Sequence, residues 1–235
     1  MSAESRYREG WGRAAWRLFM SAPGTFALAG ILFLLISSAV PVLGTLLAGP
    51  MWVGLCAMSL AAQRGEAVSL EQFFAPFTDA RASASWLFGL VLTAILVVSS
   101  MLGLALLMVS FLHLLAQAET ASALAFSAEV TTAFAITLLP LVLIAYFLFP
   151  AGFYIAAGER DCAVALRRGV SEVLRRRLFW SGFWGSMMLG HLLGMLACCV
   201  GLVIVLPWNC IAMGVALAEQ DPELLARDAA REISR

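Results

Sequence analysis

The stretch ASASWLFGLVLTAILVVSSMLGLALLMVSFLHLLAQA, residues 82–118, decides the fold because it contains no Asp, Glu, Lys or Arg. A helix needs about 20 mostly apolar residues to cross the hydrocarbon core of a bilayer. A helix over residues 82–118 would be longer than that core is thick. We therefore expect it to tilt, or to extend beyond the outer membrane surface.

Three further runs, 18–63, 130–158 and 178–218, lack the same four charged residue types. Apolar residues make up 62% of the 235 residues and charged residues 13%, whereas a soluble domain is usually near half apolar and a quarter charged. This composition excludes a soluble globule, a disordered chain and a nucleic-acid-binding protein. It predicts an all-α, polytopic membrane helix bundle.

The arginines predict the topology, because cytoplasmic loops of membrane proteins are rich in Lys and Arg. All fifteen basic residues are Arg, and they lie before the first run, after the last run and in two of the three connections. Only the connection near 118–129 has no positive charge, and it carries Glu119 and Glu129. We therefore expect this loop outside and both termini in the cytoplasm.

With this topology, the first and fourth runs must cross the membrane twice each and the other two runs once each. The prediction is a single integral membrane domain over residues 1–235, with about six spans and a cytosolic tail at 220–235. The expected spans lie near 22–40, 45–64, 84–112, 130–150, 179–199 and 201–219.

An internal repeat is indicated when the sequence is shifted by 157 residues. The shift aligns Gly44 with Gly201, Pro50 with Pro207 and Glu66 with Glu223. A weaker third copy runs from Phe149 to Glu159. The two stronger copies have the same predicted topology, so the repeat would be parallel. Chance similarity among apolar segments is the alternative interpretation.

Residues 5–20 are predicted to form an amphipathic helix that lies in the inner membrane interface. At 100° per residue, Trp11 falls on an apolar face, while Arg13 and Arg17 fall on another. An aromatic face beside an arginine face suits a helix in the headgroup region.

Two shorter segments are expected at the same membrane surface. One is residues 161–178, in which Glu172 is predicted to face away from the apolar side and to pair with Arg176 at i+4. The other begins at Ser69, with Gln72 completing a capping box. They can be read as connectors that anchor the bundle or as a lipid-sensing device.

A stripe of small residues marks the fifth predicted span as a helix-packing or partner interface. Small residues at every fourth position let another helix approach closely. The stripe consists of Gly182, Ser186, Gly190, Gly194 and Cys198. Its partner is either another span of this chain or a second protein.

The predicted spans contain no carboxylate, Lys or Arg, which argues against an acidic proton relay and a voltage sensor. Their remaining strong polar groups are His113, His191 and Asn209. The two histidines could in principle ligate a haem, but one interhelical hydrogen bond each explains them as well. We therefore predict no catalytic residue, no metal, no cofactor and no enzymatic activity.

Several motifs resemble a family of uncharacterised proteobacterial multi-pass inner-membrane proteins. They include Val40-Pro41-Val42-Leu43-Gly44, Arg64-Gly65-Glu66 and Phe73-Phe74-Ala75-Pro76-Phe77. This family is distantly similar to the membrane domain attached to some glycerophosphodiester phosphodiesterases. The resemblance implies about six helices and an inner-membrane location, and it brings no catalytic residue.

Two functions are compatible with these patterns. The first is an accessory, scaffold or assembly subunit of a membrane complex, whose partners are membrane lipids and another membrane protein or a second copy of the chain. The second is a transporter or channel for a lipid or small apolar solute, in which Pro140, Pro150 and Pro207 break helices around a site. Nucleic acid is not an expected partner.

Overall fold

The computed structural model describes residues 10–39, 41–116, 131–132, 146–196 and 200–225, which form helices and their connections with no strand among them. The predicted all-α fold is confirmed for these residues. The helices are α1 Trp11–Ser21, α2 Pro23–Ala39, α3 Pro41–Arg64, α4 Leu70–Phe74, α5 Ala82–Ala116, α6 Ala151–Ala156, α7 Cys162–Arg175, α8 Arg177–Leu196 and α9 Val200–Gln220. A single 3₁₀ turn, Ala75–Phe77, follows α4.

Three helices are long and apolar enough to cross a membrane: Leu43–Arg64 in α3, Ala82–His113 in α5 and Gly201–Gln220 in α9. A fourth candidate is the pair α1 and α2, which are bent by 96° relative to each other. The predicted span at 179–199 corresponds to α8, which is not among these candidates. Most of the predicted span at 130–150 lies outside the described residues.

The centre of the fold is the second half of α3, in which every residue from Met51 to Gln63 is buried. A helix that is apolar on all sides is buried in a protein core or spans a membrane, and this half of α3 is buried by other helices. The surrounding elements are α2, α4, α5, α6 and α9. The second half of α9, Asn209–Ala218, is buried throughout in the same way.

The part of α5 from Val97 onward has the opposite environment. Large apolar side chains are exposed along it, among them Val98 at 68%, Met101 at 63% and Val109 at 65% exposure. Exposure of this contiguous apolar surface to water is unfavourable, whereas contact with lipid or with another apolar helix is not. The chain therefore has one densely packed end and one helix that carries a long apolar surface.

The connection between α3 and α5 folds back along the side of α3. A Cβ on Gly54 would overlap the backbone carbonyl of Phe73, so the two backbones touch. Gly54 lies ten residues before the end of α3, or about 15 Å at 1.5 Å per residue. Phe73 is buried there, while the neighbouring Phe74 is 43% exposed.

Helices α3 and α6 end in the same way. Gly65 and Gly158 have φ angles of +78° and +95°, which favour glycine. After each glycine, a glutamate backbone N–H donates to the carbonyl oxygen five residues earlier, at 3.0 Å in both cases. This is the hydrogen bond of a Schellman cap, and it satisfies a carbonyl that the helix end leaves free.

Candidate functional site

The small-residue stripe of α8 meets α9 at its C-terminal end. A Cβ on Gly194 would lie 3.1 Å from Val205 Cγ2, and one on Gly201 would lie 2.5 Å from the carbonyl oxygen of Gly194. A Cβ on Gly190 would be at ordinary contact distance, 3.8 Å from the ring of Trp208. Helix α9 of the same chain therefore occupies the space beside Gly190 and Gly194.

The other end of the stripe has different surroundings. A Cβ on Gly182 would meet no atom within 4 Å. The hydroxyl of Ser186 donates within the helix to the carbonyl oxygen of Phe183, at 2.5 Å. Cys198 lies outside the described residues. Gly182 thus differs from Gly190 and Gly194 in having free space around it.

Helix α1 packs mainly on α9, with Ala14, Ala15 and Phe19 buried. Trp11 lies against Phe183 of α8, with the ring centroids 4.9 Å apart. The apolar face that we expected in the lipid interface is therefore covered by protein.

The opposite side of α1 is exposed. Arg13 and Arg17 lie on this side, together with Trp16, which is 50% exposed. Trp16 is therefore the tryptophan of α1 that is most open to the surroundings.

Helices α3, α6 and α9 meet in a close three-way contact. A Cβ on Gly214 would lie 2.6 Å from Ser59 Oγ and 2.7 Å from the ring of Phe153. The thiols of Cys56 and Cys210 lie 3.9 Å apart beside this contact. Little space remains at these positions for a solute.

The polar residues named from the sequence lie on three different helices. His113 lies on α5 and is exposed, His191 lies on α8, and Asn209 is buried in α9. Among the described residues, no three His, Cys, Asp or Glu side chains are grouped so that they could hold a metal ion.

Cys162, at the start of α7, is a poor nucleophile. Burial raises the pKa of the Cys162 thiol, and the neighbouring charge of Asp161 raises it further. The thiol therefore stays neutral at physiological pH, and the thiolate is the reactive form. Asp161 itself caps α7, accepting from the Ala163 N–H at 2.8 Å.

A polar groove of about 400 Å³ lies between α6, α7 and the end of α9. Its walls are Tyr154 of α6, four residues of α7 and the segment 220–223. The α7 residues are Arg168, Ser171, Glu172 and Arg175. We call this region the polar groove.

Glu172 is the most buried charged residue of the polar groove, with 7% exposure. Its Oε2 pairs with Arg175 at 2.8 Å, and its Oε1 lies 3.8 Å from Arg176 Nε. The predicted pairing with Arg176 is confirmed. The prediction that Glu172 faces away from the packed side is wrong, because Ala165, Gly169 and Glu172 form the buried face of α7.

Sequence reasoning did not find the polar groove. Its residues come from three helices, and their charges looked like ordinary residues at the inner membrane surface. The sequence signal that could have indicated the groove is the charged ending shared by the repeat copies. Glu159 and Glu223 both belong to such endings. Glu159 pairs with the groove residue Arg168 at 3.2 Å.

No protein-family model matches the chain, and no curated protein and no solved structure is similar to it. The resemblance to the proteobacterial inner-membrane family therefore stays a prediction.

Proposed function

We propose that this chain is a non-enzymatic integral protein of the bacterial inner membrane, where it acts as an accessory, scaffold or assembly subunit. The observation that carries the proposal is the contrast between its packed end and the exposed apolar surface of α5. Helix α5 has 35 residues, about 52 Å at 1.5 Å per residue, against a hydrocarbon core of about 30 Å. Such a helix offers more apolar surface than one crossing needs.

The proposed topology has about six spans, with both termini in the cytoplasm. If α2 crosses the membrane, the 96° bend supports a position of α1 close to the membrane plane. Arg13 and Arg17 on the exposed side of α1 are suited to the phosphates of that surface.

The parallel repeat is part of the proposal. The matching glycine caps at Gly65 and Gly158 support the third copy, which was weak in the sequence. In the two stronger copies, α3 and α9 are corresponding helices. Pro50 lies inside α3 and Pro207 lies inside α9. These two helices also contact each other.

The alternative, a transporter or channel, receives less support from the packing. Backbones touch at Gly54, and side chains pack closely on Gly152 and Gly214. A Cβ on Gly152 would lie 2.6 Å from the Trp52 ring. A pathway through the described part of the bundle would have to separate these contacts.

The test is purification of the tagged chain in mild detergent, followed by mass spectrometry. We expect one membrane protein in stoichiometric amount. Replacing Val98, Met101 and Val109 of α5 together by Ala should release it, because this removes exposed apolar contact area. The matched control replaces Leu28, Ile31 and Leu35, on α2, by Ala and should retain the partner.

Two outcomes would contradict the scaffold function. One is a homo-oligomer that contains only this chain and co-purified lipid, which is what the transporter alternative expects. The other is a partner that both triple variants retain equally.

A further inference from the structure

We propose that the polar groove binds the phosphoethanolamine headgroup of a membrane phospholipid, with the ammonium at Glu172 and the phosphate at the arginines of α7. The inference adds a lipid ligand to the proposed membrane protein. It does not depend on whether the chain has a protein partner.

The ammonium position is argued from two buried oxygen atoms in the same groove. Oε1 of Glu172 and Oε1 of Gln220 are both shielded, and no donor of the described residues is within hydrogen-bond distance of either. Buried acceptors without donors are costly, and the cost is largest for a charged group. A primary ammonium carries three N–H donors and a positive charge, so it matches this pair of acceptors.

The phosphate position is argued from Arg168 and Arg175. Both line the groove, with side chains that are 41% and 61% exposed. Each already pairs with one carboxylate, Arg168 with Glu159 and Arg175 with Glu172. A guanidinium has five N–H donors, so each arginine retains donors for a phosphate oxygen.

The charge balance favours a zwitterion over a simple anion. Glu172, Asp221 and Glu223 oppose Arg168 and Arg175, which leaves the lining with one net negative charge. An anionic headgroup without an ammonium would add a negative charge to a lining that is already negative. A ligand with both a phosphate and an ammonium places each charge beside its opposite.

The exposed apolar side chains next to the arginine cluster at the end of α7 favour a position of the groove at the lipid interface. Leu174 and Leu178 are 58% and 86% exposed and flank Arg175, Arg176 and Arg177. Exposed leucines beside arginines are typical of a helix whose apolar side chains enter the acyl region while the guanidinium groups reach the phosphates. The groove volume, about 400 Å³, is within the range of small-ligand sites.

The test is native mass spectrometry of the full chain in detergent, with dioleoyl phosphatidylethanolamine, phosphatidylcholine or phosphatidylglycerol added at equal concentration. We expect retention of phosphatidylethanolamine over phosphatidylcholine by about tenfold, since a quaternary ammonium has no N–H to donate. Phosphatidylglycerol, which has no ammonium, should bind no better than phosphatidylcholine. Free phosphoethanolamine should displace the bound phosphatidylethanolamine.

Variants distinguish recognition of the ammonium from recognition of the phosphate. Glu172→Gln should abolish the preference for phosphatidylethanolamine over phosphatidylcholine. Arg168→Gln should weaken retention of both lipids and leave their ratio unchanged. The matched control is Glu71→Gln, at an exposed position of α4 outside the groove, which should behave as the parent chain. If Glu172→Gln does not fold, Gln220→Leu removes the second acceptor and should reduce the same preference.

Three results would overturn the proposal. Equal retention of the ethanolamine and choline lipids would exclude recognition of the ammonium. A preference that survives in both Glu172→Gln and Gln220→Leu would place the recognition elsewhere. Binding of free phosphoethanolamine without retention of the lipid would identify a soluble ligand in place of a membrane lipid.

Discussion

Gly49 of α3 and Gly89 of α5 lie backbone against backbone. A Cβ on Gly49 would overlap the Cα and the amide nitrogen of Gly89, and a Cβ on Gly89 would overlap the carbonyl oxygen of Leu46. This crossing lies within the most extensive helix contact of the described residues, that between α3 and α5. In lipid, close approach of this kind is a main source of helix association, because it maximises van der Waals contact.

We expect Gly49→Ala to destabilise the protein. The added methyl must push α5 away from α3, and overpacking of this kind costs about 1–3 kcal/mol. Thermal unfolding of the purified chain in detergent measures the effect. The matched control is Gly182→Ala, whose methyl meets no atom within 4 Å. It should leave stability unchanged or slightly raised, since Ala favours a helix over Gly by up to about 1 kcal/mol. Equal melting temperatures for both variants would contradict the crossing.

The second prediction concerns the contact of α8 with α9. Gly194→Leu and Gly190→Leu should both lower the melting temperature, because their side chains would enter the space that Val205 and Trp208 occupy. Gly182→Leu, on the same stripe, should do much less. If instead Gly190→Leu leaves the monomer folded and abolishes co-purification of a partner, the stripe serves another chain and α9 does not occupy it.

The third prediction concerns the thiols of Cys56 and Cys210. Their sulfur atoms are 3.9 Å apart and belong to two different helices, so a small movement brings them to the disulfide distance of about 2.05 Å. Oxidation with iodine in membranes should therefore link α3 to α9.

The link can be detected in a chain that carries a protease site near residue 122, with Cys162, Cys198 and Cys199 replaced by Ser. After oxidation and cleavage, a non-reducing gel should show one band of full mass. Adding Cys210→Ser should give two fragments. Two fragments without that substitution would show that α3 and α9 are not neighbours.

How much the sequence alone establishes differs between the helices and their contacts. The helix expected at 201–219 is observed as Val200–Gln220, and the one expected at 84–112 lies inside the helix Ala82–Ala116. The bounds of these two helices were predictable because charged residues are absent from the long apolar runs and concentrated at their ends. The capping box at Ser69 was also predictable, and the Ser69 N–H donates to Gln72 Oε1 at 3.1 Å.

Contacts between distant helices could not be predicted in the same way. Gly49 and Gly89 are single glycines forty residues apart, and nothing in the sequence pairs the one with the other. The burial of Glu172 was missed because a carboxylate on an amphipathic helix normally faces water. Here the ion pair of Oε2 with Arg175 at 2.8 Å offsets part of the cost of burying the carboxylate.

The fourth prediction compares two tryptophans of α1. Brominated lipids should quench the emission of Trp16, which is 50% exposed, more than that of Trp11, whose ring packs against Phe183. The measurement compares Trp16→Phe with Trp11→Phe. Trp16→Phe should remove the larger share of the quenchable fluorescence. A larger loss in Trp11→Phe would place the other face of α1 against lipid.

The proposed topology is a six-span protein whose outer loop, near residues 118–129, has no arginine and separates two halves with cytoplasmic ends. Reporter fusions measure this most directly, with fusion points after residues 66, 122, 160 and 235. We expect cytoplasmic signals after residues 66, 160 and 235, because arginines lie near these positions. We expect an external signal at 122, because no arginine lies near it. A cytoplasmic signal at 122 would contradict the six-span topology.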